Sequence, residues 1–119
     1  MPDDVFVVDD DPGFRSLAKR LLERAGLRIV GEADTVGRAR TAVLDLRPSA
    51  VLLDVSLPDG DGVTLAGELT KLPWRPRVVL ISSDPDATGR DGLHRSGAAA
   101  FIPKDELTDL ALRQAFAEP

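Results

Sequence analysis

The chain has 119 residues, a formal net charge of −5, 43% hydrophobic residues and no cysteine. This length predicts one domain with its own core, and the absence of cysteine excludes disulfides, thiolate metal sites and a cysteine nucleophile. The negative charge argues against direct binding of nucleic acid. No apolar run approaches the roughly 20 residues that span a bilayer, and the acidic start does not look like a signal peptide, so we expect a cytoplasmic protein with no membrane partner.

The first strand–helix unit has clear boundaries in the sequence. Residues 5–8 form a continuous apolar run of β-branched and aromatic side chains, which is typical of a strand buried on both faces. Asp11 followed by Pro12 predicts the start of a helix, and Gly26 is placed to end it. The side chains expected on the buried face of this helix are Phe14, Leu17, Ala18, Leu21 and Leu22.

Four further strand–helix units follow by the same criteria. The predicted strands cover residues 27–33, 50–53, 77–81 and 98–102. The predicted helices cover residues 35–46, 62–72, 86–96 and 105–117. The helix over 86–96 has few large apolar residues, so we expect it to be loosely held. The core residues predicted for these helices are Val36, Ala39, Val43, Leu46, Leu65, Leu69, Leu72, Leu93, Leu107, Leu110, Ala111 and Phe116.

Alternation of strands and helices with short connections predicts one α/β domain over residues 1–119. Its sheet should be parallel and covered by helices on both faces. Sheets of this kind bind ligands outside the carboxyl ends of their strands, near the point where the strand order reverses. The polar residues that follow the apolar runs are therefore the candidates for a functional site.

Three carboxylates are expected to meet at this edge of the sheet. Asp9 and Asp10 follow the first strand, and Asp54 follows the apolar run of the third. Strands one and three should be neighbours near the reversal point, which brings the three side chains within reach of one another. Carboxylates so close together repel unless a cation neutralises them. Their hard oxygen atoms suit Mg²⁺.

An amine and a hydroxyl complete the predicted pocket. Lys104 ends the fifth strand and can pair with a carboxylate or a phosphoryl oxygen, while either Ser82 or Ser83, after the fourth strand, can donate a hydrogen bond to such an oxygen. A carboxylate nucleophile that forms an acyl phosphate is established chemistry. Phosphoryl transfer needs mainly positioning and neutralisation of charge, and these groups supply both.

These motifs, in this order and spacing, resemble the receiver domains of response regulators in bacterial two-component signalling. The resemblance covers nearly the whole chain. The residues that carry it are Val8-Asp9-Asp10-Asp11-Pro12, Leu53-Asp54-Val55-Ser56-Leu57-Pro58-Asp59-Gly60-Asp61-Gly62, Ser82-Ser83 and Phe101-Ile102-Pro103-Lys104. The fold that it implies is a flavodoxin-like (βα)5 three-layer sandwich with strand order 2-1-3-4-5. Helices one and five should lie on one face of the sheet, and helices two, three and four on the other.

The resemblance implies a phosphoacceptor and a metal site. Asp54 would accept a phosphoryl group from a phosphohistidine on a sensor histidine kinase. Mg²⁺ would be bound by Asp10, Asp54 and the backbone carbonyl of Ser56, and Asp9 would orient the metal's water shell.

The resemblance also implies the parts of a switch. Lys104 would neutralise the phosphoryl group, and the hydroxyl of Ser82 would move toward it, with Ser83 as the alternative. Phe101 stands where the family has an aromatic side chain that turns inward on activation. It is a phenylalanine, so an output that depends on a tyrosine hydroxyl is not available.

The sequence around the lysine is most similar to receivers joined to LuxR/NarL-type helix-turn-helix output domains. Asp105 follows Lys104 where many receivers have proline, which puts a cis peptide at this bond in doubt. This similarity implies a signalling domain rather than an enzyme, a transcriptional output and a homodimer formed on phosphorylation. DNA would be reached only through an output domain outside this chain, so we expect the chain to be part of a longer regulator.

Five other residues have simpler interpretations than a catalytic one. Asp11 is read as a helix cap because proline follows it. Asp59 and Asp61 are predicted to form turns, because the longer set of ligands that a calcium loop needs is missing. His94 is expected at the surface of a weak helix, and Trp74, between two prolines, is expected to serve packing.

Two other classes of function stay open at this point. A phosphatase of the haloacid dehalogenase type also uses an aspartate at a strand end, but it needs a second aspartate two residues later, where this chain has Ser56. A pseudo-receiver, which keeps the fold and binds partners without phosphorylation, is the other alternative. The complete set of acidic residues and the lysine argue against it.

Overall fold

A computed structural model describes residues 2–117. Its central sheet contains five strands, which are β1 (Asp4–Val8), β2 (Arg28–Ala33), β3 (Ala50–Asp54), β6 (Arg77–Ser82) and β7 (Ala100–Pro103). Between β3 and β6 the chain forms a small hairpin of β4 (Ser56–Leu57) and β5 (Gly60–Asp61). Neighbouring strands of the central sheet are parallel, and their order is β2-β1-β3-β6-β7. The predicted order 2-1-3-4-5 is confirmed.

Helices cover both faces of the sheet, as predicted. They are α1 (Pro12–Arg24), α2 (Val36–Leu46), α3 (Gly62–Leu69), α4 (Gly89–Ser96) and α5 (Asp109–Phe116), with a 3-10 turn at Lys104–Glu106. One buried cluster joins the sheet to α1 and α5, and the second joins it to α2 and α3, with Leu93 of α4 packed at its edge. None of the helices within residues 2–117 is long and apolar enough to cross a membrane.

Short polar side chains begin four of the five helices. Asp11 accepts a hydrogen bond from the backbone N–H of Gly13, with Pro12 as the first helical residue. Thr35 and Thr108 cap α2 and α5 through their hydroxyls, and Asp61 caps α3. The caps satisfy backbone donors that have no partner inside the helix. The predicted role of Asp11 is confirmed.

Two helices begin later than the sequence predicts. The fourth starts at Gly89 rather than residue 86, because the backbone N–H of Asp86 bonds to the side chain of Asp84 in a turn. The fifth starts at Asp109 rather than residue 105, because the chain after Lys104 forms a 3-10 turn and Thr108 then caps the helix. The peptide bonds within residues 2–117 are all trans.

Three of the predicted core leucines lie at the surface instead. Leu17, Leu46 and Leu110 are 40%, 45% and 56% exposed. Leu112 was not predicted as a core residue, but it is fully buried together with Phe116, one turn later in α5. Leu112 and Phe116 are four residues apart and share one face of α5, whereas Leu110, two residues before Leu112, lies on another face.

Trp74 has the packing role that its sequence context indicates. Its indole N–H donates to the carbonyl of Pro48 at 2.8 Å, and the guanidinium of Arg47 lies 4.6 Å from its ring centre. The loop after α3 is thereby fixed to the loop after α2. His94 is exposed on α4, as predicted.

Candidate functional site

The three predicted carboxylates meet at the carboxyl edge of the sheet. Asp54 is the last residue of β3, and Asp9 and Asp10 follow β1, which pairs directly with β3. One carboxylate oxygen from each of the three residues lies within 4.8 Å of the others. Asp9 and Asp54 are buried, whereas Asp10 is exposed. The parallel register of two apolar strands therefore creates the acidic cluster.

Lys104 reaches this cluster from the end of β7. Its ammonium nitrogen Nζ lies 2.7 Å from Oδ2 of Asp9 and 3.3 Å from Oδ2 of Asp54. The side chain is only 17% exposed, so these ion pairs are less screened by water than pairs at the surface. The nitrogen also lies 4.3 Å from the ring centre of Phe14, in the first turn of α1.

Burial and neighbouring charges shift the ionisation of two groups. Burial, and then the negative charge of Asp9, raise the pKa of Asp54, while Lys104 and the backbone N–H of Ser56 offset only part of this rise. Burial lowers the pKa of Lys104, but its contact with Asp9 and the charge of Asp54 outweigh burial, so the pKa is raised overall. The pocket thus contains one ammonium group and three carboxyl groups, those of Asp9, Asp10 and Asp54.

The donor set fits a divalent cation. Oδ2 of Asp9 is fully buried and lies 2.7 Å from the ammonium nitrogen of Lys104. Its other oxygen accepts from the backbone N–H of Asp11 at 2.8 Å. Three carboxylates around one ammonium leave an excess of negative charge, and their oxygen atoms are suitable ligands or water-orienting groups for a hard ion such as Mg²⁺.

The predicted serine residues lie at the ends of the segments that adjoin Asp54. Ser82 ends β6, directly after Ile81, which is the register partner of Asp54. Ser82 is buried and its hydroxyl oxygen accepts from the backbone N–H of Asp84 at 3.1 Å, whereas Ser83 is exposed. The backbone N–H of Ser56 donates to Oδ1 of Asp54 at 3.2 Å.

Phe101 lies outside the acidic cluster. It is on β7 beside Leu80 of β6, and its partly buried ring packs against the core beneath α2 and α3. Its place three residues before Lys104 is where the resemblance puts the switch aromatic.

Asp59 and Asp61 have a role that the turn prediction missed. Both lie in or next to the β4–β5 hairpin, and both bind the start of a helix. Asp61 accepts from the backbone N–H of Val63 in α3. Asp59 accepts from those of Val36 and Gly37 in α2, at 2.7 and 3.1 Å. Asp59 therefore joins the segment after Asp54 to a different helix.

Replacing Asp59 with asparagine is expected to destabilise the protein at neutral pH and to have little effect in acid. The hydrogen bonds from Val36 and Gly37 lower the pKa of Asp59. A carboxylate whose pKa is lowered by folding stabilises the native state above its unfolded pKa, and this contribution is lost as the pH falls through the folded pKa. Urea unfolding of wild type and Asp59→Asn from pH 7 down to below the ordinary pKa of an aspartate side chain, about 3.9, measures this difference.

The control for this experiment is Asp45→Asn, since Asp45 is an exposed residue of the same helix. We expect its effect on the free energy of unfolding to change much less over the same pH range. A constant difference between wild type and Asp59→Asn at every pH would contradict the role given to Asp59.

Arg15 also belongs to the surroundings of the site, although the sequence did not single it out. Its Nη1 donates to the backbone carbonyl of Asp9 at 2.6 Å, and its Nε donates to Glu32 at 2.8 Å. The sequence did contain a signal for this role, because Arg15 lies one helical turn after the cap Asp11, which directly follows Asp9 and Asp10. Arg15 fixes the first turn of α1 to the end of β1.

The strand order, the two layers of helices and the acidic pocket at the reversal point define a flavodoxin-like α/β domain. The family model of the response regulator receiver domain matches residues 5–116. The chain belongs to this family, and is thus a receiver domain of two-component signalling.

Known proteins with similar sequences are longer than this chain, and their names indicate different activities. The chain is 29% identical over 102 residues to BvgA of Bordetella pertussis, named for positive regulation of the transcription of virulence factors. It is 37% identical over 122 residues to protein-glutamate methylesterase/protein-glutamine glutaminase 2 of Pseudomonas aeruginosa. These alignments cover 86% and 99% of the chain but 49% and 34% of the relatives. The chain thus spans about half the length of one and a third of the other.

Solved receiver domains share the fold and a moderate level of identity. The BeF3-activated N-terminal receiver domain of Klebsiella pneumoniae RstA is 30% identical and superposes with a TM-score of 0.80, covering 94% of each chain. The signal receiver domain of NarL from Mycobacterium tuberculosis is 32% identical with a TM-score of 0.82, covering 96% of this chain and 92% of that one.

Proposed function

We propose that the chain is a phosphorylation-operated switch in which Asp54 accepts a phosphoryl group from a phosphohistidine of a sensor histidine kinase. The observation that carries this proposal is the buried Asp54 carboxylate, 3.3 Å from the ammonium of Lys104 and next to Asp9 and Asp10. Membership of the receiver family supports it.

The transfer uses groups that the pocket already holds. A carboxylate oxygen of Asp54 forms a bond to phosphorus, and the bond from phosphorus to the imidazole nitrogen of the donor breaks, with its electron pair remaining on that nitrogen. Lys104 neutralises the charge on the phosphoryl oxygens, and the Ser82 hydroxyl donates to one of them. Asp9, Asp10, Asp54 and the backbone carbonyl of Ser56 would hold Mg²⁺. When bound, Mg²⁺ supplies neutralisation of the remaining negative charge.

The proposed response passes through α4, β7 and the switch aromatic. Movement of Ser82 toward the phosphoryl group would break its contact with the N–H of Asp84, at the start of the loop that leads to α4. This helix has no side-chain cap, since Thr88 makes no capping hydrogen bond, and the positive φ of 61° at Gly89 starts it in an irregular turn. Reorientation of Phe101 and α4 would change the surface seen by partners.

The proposed partners follow from this mode of action. The sensor kinase donates the phosphoryl group, and the phosphorylated domain forms a homodimer. The output is transcriptional and acts through a DNA-binding domain outside this chain, which its partial coverage of BvgA supports. The proposed location is the cytoplasm, where such a kinase and DNA are both accessible.

Intact-mass spectrometry after incubation with acetyl phosphate tests the proposal. Wild type with Mg²⁺ should gain the mass of one phosphoryl group, and neither wild type without Mg²⁺ nor Asp54→Asn should gain it. Asp45→Asn, which removes an exposed carboxylate far along α2, is the matched control and should be modified like wild type. Equal uptake by Asp54→Asn would rule out Asp54 as the acceptor. No uptake by wild type would favour a pseudo-receiver that binds partners unmodified.

A further inference from the structure

The ammonium of Lys104 contacts two carboxylates and one aromatic ring. The carboxylates are those of Asp9 and Asp54, at 2.7 and 3.3 Å. The ring is that of Phe14, whose centre lies 4.3 Å from Nζ. This separation is well inside the roughly 6 Å within which a cation is attracted to the negative face of an aromatic ring. The contact is partly shielded from water, since Lys104 is 17% exposed and Phe14 is half-buried.

Phe14 is held firmly in this position. Pro12 begins α1, and Asp11 caps it by accepting from the N–H of Gly13. On the other side, Arg15 ties the same turn to the backbone of Asp9. Phe14 itself packs against the buried cluster between the sheet and helices α1 and α5. The ring is therefore a fixed surface rather than a side chain that follows the lysine.

The two kinds of contact respond differently when a cation enters the pocket. The carboxylates that hold Lys104 are those proposed to bind or orient Mg²⁺, so the metal and the ammonium would share the same two carboxylate groups. An aromatic ring is not a ligand for a hard cation, which binds oxygen. Of the three contacts, the one with Phe14 is thus not shared with the metal.

We propose that Phe14 is a positioning residue, whose aromatic face holds the ammonium of Lys104 beside Asp54 when Mg²⁺ occupies the acidic cluster. This inference rests on the proposed function, because it concerns the lysine that neutralises the phosphoryl group. The ring keeps the ammonium of Lys104 in place for phosphoryl transfer, and it adds no oxygen ligand that would compete for Mg²⁺.

The contact can be observed directly by NMR before any phosphoryl transfer. The chain has three lysines, Lys19, Lys71 and Lys104, so lysine-specific isotope labelling gives three sets of side-chain signals, and Lys104→Arg identifies the one of interest. A methylene above a ring face is shifted upfield. We expect this shift at the ε-methylene of Lys104 in wild type and in Phe14→Tyr, both with and without Mg²⁺, and its loss in Phe14→Leu.

The rate of phosphoryl uptake from acetyl phosphate gives the second measurement. Loss of a partly desolvated cation–π contact should lower this rate about tenfold in Phe14→Leu, and Phe14→Tyr should recover most of it. Thermal unfolding of each variant separates this effect from a loss of folding. Leu17→Ala, which alters an exposed side chain of the same helix, is the control and should keep both the shift and the rate.

The two proposals fail in different ways. If wild type takes up no phosphoryl group, the proposed function fails, whatever the NMR shift shows. If wild type is phosphorylated but the upfield shift is absent, or disappears when Mg²⁺ is added, Phe14 does not position Lys104. Equal rates for folded Phe14→Leu and Phe14→Tyr would overturn the inference as well.

Discussion

Replacing Gly62 with alanine is expected to destabilise the protein by about 3 kcal/mol and to displace the Asp54 segment. A Cβ atom at Gly62 would lie 2.1 Å from the carbonyl oxygen of Asp54, 2.8 Å from Cα of Val55 and 2.9 Å from the carbonyl carbon of Asp54. All three atoms belong to the backbone, so no side-chain rotation can relieve the overlap. The N–H of Gly62 also donates to the carbonyl of Val55 at 2.7 Å, which holds the start of α3 against this segment.

Urea unfolding and the rate of phosphoryl uptake together measure the effect of Gly62→Ala. The matched control is Gly67→Ala in the same helix, where the new Cβ would have only an ordinary contact of 4.0 Å with the carbonyl oxygen of Arg95. This control should stabilise the protein by about 0.5–1 kcal/mol, because alanine favours the helix more than glycine does. Equal stability of Gly62→Ala and wild type would show that α3 does not lie this close to Asp54.

Truncation of Leu112 to alanine is expected to cost about 2–5 kcal/mol of unfolding free energy. The side chain of Leu112 is completely buried, with 0% of its surface exposed to solvent. It packs in the cluster that joins α5 to the sheet and α1, together with Phe116. Its removal leaves a cavity among side chains that cannot fully collapse into it. Equilibrium unfolding in urea measures the loss.

Leu110→Ala is the control, and its expected effect is within about 0.5 kcal/mol. Leu110 lies in the same helix but is 56% exposed. The pair tests which face of α5 packs on the sheet, because the sequence prediction puts Leu110 in the core, whereas the structure puts Leu112 there. A larger loss for Leu110→Ala than for Leu112→Ala would contradict the position of α5.

Local signals in the sequence predicted most of the elements and their arrangement. The apolar run of residues 5–8 lies within β1, and Asp11 with Pro12 begins α1. Both signals are local in the chain. A continuous apolar run indicates a strand buried on two faces, and a capping side chain bonds to an N–H two residues away. The adjacency of strands one and three, and with it the cluster of Asp9 and Asp54, then followed from rules for parallel sheets. The full strand order was implied by the resemblance to receiver domains.

The errors arose where two local signals competed. Asp105 and Thr108 are both plausible helix starts, and the 3-10 turn between them decides in favour of Thr108. Leu17 and Leu46 fit the periodicity of a buried face, yet they are 40% and 45% exposed. Periodicity identifies a face of a helix, but the width of the surface that packs against it determines how much of that face is buried.

The class of fold, the family resemblance and the acidic residues and lysine at the strand ends could all be predicted from the amino-acid sequence. Three contacts became visible only in the folded chain: Asp59 binds the start of α2, 23 residues away, Phe14 lies beneath the ammonium of Lys104, and Gly62 touches the backbone of Asp54. The difference between the two sets lies in the range of the interactions. Propensity, capping and periodicity act within a few residues, whereas these contacts depend on how elements distant in the chain are packed together.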